Sequence, residues 1–187
     1  MKTLLVEAKE KMEFDMKEDT QYVLLFKDFS SQKSCKISLN FDSKGVRGEV
    51  LALFRLKEGD SIDLTTEANH QAPHTNCNTA VRGVLEDKSS AKYVGKIIIG
   101  KKGQQTNSYL EDNILVVGDD VKNTSKPILE IEADDVKASH GATTGRVSFE
   151  QLYYLQTRGL SQKEAENLII EGFFTSLLST INDEKIR

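Results

Sequence analysis

The sequence predicts a mainly β chain with a helical end: strands over residues 1–147 and a short α-helical segment over residues 148–187. Three observations carry this. Short runs rich in Val, Ile, Leu and Thr recur along the first part, roughly 12 to 20 residues apart, as strands do. Gly, Asn, Asp, Ser or Lys fills the gaps, and almost no helical period appears there. From residue 148 the apolar spacing changes to about 3.6 residues.

In chain order, the start, MKTLLVEAKEKMEF, has a brief apolar patch and then charges, too short for a secretory leader. Strand-like runs follow at QYVLLFKD (21–28), CKISLNF (35–41), GEVLALFRL (48–56) and SIDLTTEA (61–68). They continue at TAVRGVLE (79–86), KYVGKIIIG (92–100), NILVVGD (113–119) and PILEIEAD (127–134). An antiparallel sandwich or a solenoid of stacked β-coils fits this series. A sandwich favours tight Asn-Gly or Asp-Gly hairpin turns, and neither dipeptide occurs. A solenoid needs only corners, and VRGVL and VGKIII, about 13 residues apart, resemble successive coils. The balance leans to the parallel β-helix. The segment ADDVKASHGATTGR (133–146) reads as the seam between strands and helices.

Two capped helices follow. Ser148 with Gln151 forms a capping box, Leu152 and Leu155 a buried stripe with Tyr154 beside them, and Gly159 a C-terminal stop. Ser161 with Glu164 repeats the box. Ala165, Leu168, Ile169, Phe173, Leu177 and Leu178 mark one face, flanked by Ile170, Phe174 and Ile181. The face is wide enough to pack on the parent domain and to dock a partner. The tail NDEKIR is expected to fray.

Composition narrows the function. With 38% apolar and 29% charged residues, the 187-residue chain can bury a core. A net charge of −4 argues against a nucleic-acid binder. The absence of Trp disfavours sugar or base platforms. No run of about 18 apolar residues exists to span a membrane. Cys35 and Cys77 are expected as free thiols in a reducing cytoplasm, with a single disulfide left open.

The polar constellations are few. His70, His74 and Cys77 share HQAPHTNC, with ligand-type spacing for a metal or the makings of an ordinary polar turn. A fourth ligand would have to come from Cys35, His140 or a carboxylate. By spacing alone, His140 is a backbone-bonding residue at a strand-to-helix corner, and Asp134 and Asp135 a solvated or capping pair. GKKGQQTNS (100–108) lacks phosphate-loop order and reads as an exposed loop. No nucleophile elbow or zinc-protease motif is present, so the residues point to no catalysis and no catalytic site.

The stretch 113–174 closely resembles the C-terminal part of the SUF iron–sulfur cluster assembly proteins SufB and SufD. The motifs are SKPILEI, ADDVKASHGAT, EQLYYLQTRGL and EAENLIIEGFF; HQAPHT and RGVL extend the likeness back to about residue 65. The resemblance implies a right-handed parallel β-helix followed by a C-terminal helical segment. It implies a non-catalytic scaffold that pairs through its β-helix and docks an ABC-type ATPase, SufC, on its helices, with sulfur arriving from a cysteine desulfurase. Histidine at position 140 makes the chain SufD-like. His140 is then an interface ligand for iron or a transient iron–sulfur cluster, with none tightly bound, and His70, His74 and Cys77 are further metal candidates. Asp134, Asp135 and Lys137 become interface residues, as do Leu152, Leu155, Leu168 and Phe173 on the helices. The chain departs from the family in being short and in carrying Asn78 where an arginine is usual. The partner is a SufB-type subunit or a second copy in a homodimer. The alternative is a β-helix interaction module that binds neither metal nor cluster; an enzyme on a β-helix, such as a polysaccharide lyase, is disfavoured.

Overall fold

The computed structural model describes residues 1–26 and 33–186. Lys27 and Asp28, which end the run expected over 21–28, lie outside the described residues, as does Arg187 of the tail. The strands are β1 (Lys2–Glu7), β2 (Lys11–Asp15), β3 (Thr20–Leu25), β4 (Lys33–Phe41), β5 (Arg47–Leu56) and β6 (Ser61–His70). They continue with β7 (Asn76–Leu85), β8 (Ser90–Ile99), β9 (Asn107–Val116), β10 (Lys122–Ile131) and β11 (Lys137–Arg146). Two helices follow, α1 (Phe149–Thr157) and α2 (Gln162–Leu178).

Odd strands form one sheet, in the order β1-β3-β5-β7-β9-β11, and even strands the other, β10-β8-β6-β4-β2. All pairs are parallel. The chain therefore winds as a solenoid with one strand of each sheet per coil, which removes the antiparallel sandwich. Arg47, Asn76, Asn107 and Lys137 stack in register, a coil of about 30 residues. VRGVL lies on β7 and VGKIII on β8, in opposite sheets, so their spacing is half a coil and not a full one.

The strands alternate by elementary pleat geometry. In SIDLTTEANH of β6 every second residue is buried and the rest half-buried. The inward residues, among them Ile37, Phe41, Leu64, Tyr93, Ile99 and Leu110, merge into one core along the solenoid axis. At Gly48 a side chain would meet the Phe41 ring at 2.6 Å, so the glycine makes room for the phenyl group. Corners replace hairpins. Gly45, His74 and Gln105 take positive φ along one edge, and Gly59, Lys88 and Asp120 along the other. In the inner coils each edge turns the chain with one left-handed residue, which is why Asn-Gly turns are not needed.

β1, β2 and β11 go beyond the expected strands. β1 and β2 are short and half-exposed at one end of the solenoid. β11, KASHGATTGR, turns the expected seam into a full strand; its residues are small and polar because it closes the other end. β9 starts at Asn107, so the loop expected over 100–108 ends in a strand and Ser108 is buried.

Ser148 caps α1 by accepting from the Gln151 N–H, and Ser161 with Glu164 makes both arms of a capping box on α2. After α1, Gly159 at φ +95 donates to Gln156 O and Leu160 donates to Leu155 O, a Schellman stop. α2 buries Ala165, Ile170 and Leu177, and Leu177, with Ile181 just beyond the helix, packs over Val23 and Leu51 of the odd sheet. This corrects the expected face: Leu168 is 47% exposed. The helix is apolar on more than one side, and the sheet selects the side. The tail is tied down, not frayed, through residue 186: Gln21 donates to Thr180 O and accepts from Asn182 N–H, and Ile186 packs against the buried cluster.

Candidate interface and metal-ligand site

β10 and β11 are the last strands of their sheets. β11 pairs with β9 on one side and with no strand on the other among the described residues. Between Lys137 and Arg146 this edge carries no charged side chain. Small, neutral residues leave its N–H and C=O groups accessible, the condition under which a strand edge accepts another strand.

His140 sits on β11 directly over the buried Leu110 of β9, so it projects toward the solenoid interior at the open end and stays exposed there. Among the described residues its imidazole has no hydrogen-bond partner. The exposed pair Asp134 and Asp135 forms the last corner, where Asp135 N–H donates to Gln104 Oε1 and Asp135 O accepts from Gln105 N–H. Lys137 opens β11, its N–H bonded to Thr106 O and its side chain exposed. These four residues share one end of the molecule.

His70, His74 and Cys77 do not share a site with them or with one another. His70 is fully buried, stacked on Phe41 with ring centroids 4.5 Å apart. Its Nδ1 meets Thr75 Oγ1 at 2.8 Å and its Nε2 meets Ser108 Oγ at 3.3 Å. Thr75 in turn meets Thr106 Oγ1 at 2.9 Å, and Ser108 donates to Cys77 O. Burial lowers the His70 pKa to about 4, so the ring is neutral and both nitrogens are occupied as a corner brace. His74 is exposed on the outside of that corner at φ 60. Cys77 points into the core, where burial pushes its thiol up to about 12; Cys35 is pushed up to about 11 in the same way. Neither thiol is poised as a thiolate ligand. No three His, Cys, Asp or Glu side chains converge as a metal-binding group among the described residues. His140 thus offers one open nitrogen donor of a type that suits iron, and the remaining ligands would have to come from outside this set.

The helices present a second surface. No residue of α1 is buried; Phe149 is 79% exposed, Tyr153 61% and Tyr154 58%. Leu152 and Leu155 are half-buried, and Leu155, Tyr154 and Ile169 line a cleft between the helices. Phe173 faces the other way: Arg82 stacks over its ring and donates to its carbonyl at 2.7 Å, which anchors α2 to β7. Of the four expected helical contacts, Leu168 is the most accessible and Phe173 the most committed. Tyr154, expected beside Leu152 and Leu155 on the buried stripe, is instead exposed, and Phe149 and Tyr153 were not singled out, because helical spacing looks for a buried stripe and not an exposed one. No helix among the described residues is long and apolar enough to cross a membrane.

Residues 10–173 match the family described as SUF system FeS cluster assembly, SufBD core domain. The chain is 35% identical over 130 residues to the iron–sulfur cluster assembly protein SufD of Escherichia coli (strain K12), covering 70% of this chain and 31% of that one. It is 30% identical over 150 residues to SufD of Bacillus subtilis (strain 168), covering 79% and 34%. An iron–sulfur cluster assembly SufBD family protein of Mycobacterium leprae (strain TN) is 30% identical over 158 residues, covering 80% and 40%. The chain thus spans between 31% and 40% of the length of these relatives.

Proposed function

The chain belongs to the SufB/SufD family of the SUF iron–sulfur cluster assembly system, and from that premise we propose that it is a non-catalytic scaffold of that machinery. It pairs through β11 with a SufB-type subunit or a second copy, and it docks a SufC-type ATPase on α1 and α2. Iron or a nascent cluster is its cargo, held where the two chains meet, with sulfur supplied through a cysteine desulfurase. The observation that carries the reading is β11: a ten-residue edge strand, unpaired on its outer side among the described residues, with no Asp, Glu, Lys or Arg between Lys137 and Arg146 and with His140 on its inner side. Strand addition there would enclose His140 between two chains and bring ligands that one chain lacks. The exposed Phe149, Tyr153, Tyr154 and Leu168 supply an apolar face of the kind buried by a helix-docking partner.

The test is anaerobic co-expression with a SufB-type subunit and a SufC-type ATPase, beside a His140→Ala control. Co-purified ATPase, with iron that falls in the control, supports the scaffold. ATPase without iron in either sample reduces the chain to a docking module. Absence of both overturns the reading.

A further inference from the structure

Helix α2 lies on the outer face of the odd sheet with little apolar contact beneath it. Ala165, Ile170 and Leu177 are its buried residues, and α1 adds none. Leu177 and Ile181 join Val23 and Leu51 in a cluster separate from the main core. Grooves undercut both ends of the helix. One, of about 380 Å³, lies between Gln162, Lys163 and Asn167 and the strand ends at Arg55, Glu86 and Val117. The other, of about 510 Å³, lies between Leu177, Thr180 and Asn182 and the sheet residues Leu51, Asn78 and Tyr109.

Polar clasps hold the helix between and beyond these grooves. Near its start, Arg55 Nη2 donates to Asn167 Oδ1 at 3.2 Å, while Arg55 Nε donates to Glu86 Oε1 at 2.5 Å. In its second half, Arg82 Nη1 donates to Phe173 O and Ser176 Oγ, and Arg82 Nε is buried with no acceptor among the described residues. Water replaces such part-buried bonds on release, so each adds little net stability. The clasp beyond the helix end is different. Gln21 is wholly buried and satisfied on both sides of its carboxamide. Its Nε2 donates to Thr180 O at 3.1 Å and to Glu49 Oε2 at 2.7 Å; its Oε1 accepts from Asn182 N–H at 3.1 Å and from Thr3 Oγ1 at 3.2 Å. One side chain thus ties the segment after α2 to β1, β3 and β5.

Helices of 9 and 17 residues are marginal in water without tertiary packing. The cost of undocking them is set by a small satellite cluster and these clasps, and the solenoid core is untouched by it. That is the condition for a unit that opens by itself. We propose that residues 149–181 form a strap that opens from the solenoid as one unit, with Gln21 as the latch that holds it closed. The strap carries the exposed Phe149, Tyr153, Tyr154 and Leu168, so a partner seated there grips a segment able to leave the sheet. The opening belongs to this chain alone and does not depend on which partner docks.

Amide hydrogen exchange of the full chain, without partners, tests this. The α2 amides from Glu166 to Leu178 should exchange through one common opening, with protection about tenfold or more below that of β7 and β9. Gln21→Leu keeps an apolar side chain in place but removes the bonds to Thr180 and Asn182. It should speed exchange about tenfold along the whole of α2, including Glu166 to Ile170, about three helical turns from the latch, and leave β7 and β9 unchanged. Ser176→Ala, on the strap itself, should speed the same amides by a few-fold and serves if Gln21→Leu does not fold. Acceleration confined to residues 177–182 overturns the proposal and makes Gln21 a local brace. Equal protection in α2 and in β7 and β9 also overturns it, because the helices would then open only with the whole solenoid. Equal acceleration of α2 and β7 in Gln21→Leu does the same. Each of these outcomes is read without an ATPase or iron, so it leaves the scaffold reading to its own test.

Discussion

Replacing His70 by Gln should flatten the acid side of the stability curve. His70 is wholly buried, and Phe41, Thr75 and Ser108, all uncharged, hold it. Burial depresses its pKa from 6.5 to about 4, so the unfolded chain takes up the proton first as pH falls. The neutral ring therefore contributes its full stability above pH 6.5, loses it progressively between 6.5 and about 4, and changes nothing further below. That gap corresponds to about 3 kcal/mol, at about 1.4 kcal/mol per pH unit. Urea unfolding followed by circular dichroism, from pH 7.5 to about 4, measures it. Other titrating groups are common to both proteins and cancel in the difference. The variant will be less stable at neutral pH, because it leaves Thr75 or Ser108 without its partner, but the two curves should converge as the pH drops. Parallel curves through this range would refute the reasoning and mean that His70 is protonated, or solvated, in the folded chain.

Four further outcomes follow from the packing. Gly83→Ala puts a Cβ against the Phe54 ring and Ile114, and thermal unfolding should show a loss of about 1–3 kcal/mol from overpacking. Asp112→Asn should raise the melting temperature at pH 7. The folded carboxyl has a raised pKa, so its ionised form opposes folding at neutral pH, and the gain should shrink once the pH falls below that raised value and vanish at the ordinary aspartate pKa of 3.8. Ser161→Ala removes the hydroxyl arm of the α2 capping box, leaving the backbone N–H of residue 161 on Glu164, and should cost about 1 kcal/mol in urea unfolding. Leu168→Glu, on the exposed side of α2, should change stability by less than about 0.5 kcal/mol and reduce ATPase co-purification; retained co-purification would move the docking surface elsewhere.

Much of this protein was determined by sequence alone, wherever the cause is local. The alternation of β6 appears in SIDLTTEANH because the pleat has period 2 whatever the strand packs against. The helix ends are legible at Ser148, Ser161, Glu164 and Gly159, because caps satisfy backbone groups within a few residues. The order of motifs from SKPILEI to EAENLIIEGFF identified the family, and residues 10–173 match its core domain.

Tertiary structure decided what depends on stacking. His70 and His74 are four residues apart, yet the corner between them buries one and exposes the other, so their ligand-like spacing does not make a pair. β11 was hidden because a terminal coil has no layer above it to bury against, and KASHGATTGR therefore lacks the apolar alternation of an inner strand. α2 offers more than one apolar side, and only its packing on the solenoid, where Leu177 meets Val23 and Leu51, decides which side turns inward: Ile170 is buried and Leu168 exposed. Asp112 reads in sequence as one more acid before a strand. Its burial arises from residues a coil above and across the interior, at Ala142 and Ser125, because a solenoid brings together side chains far apart in the chain.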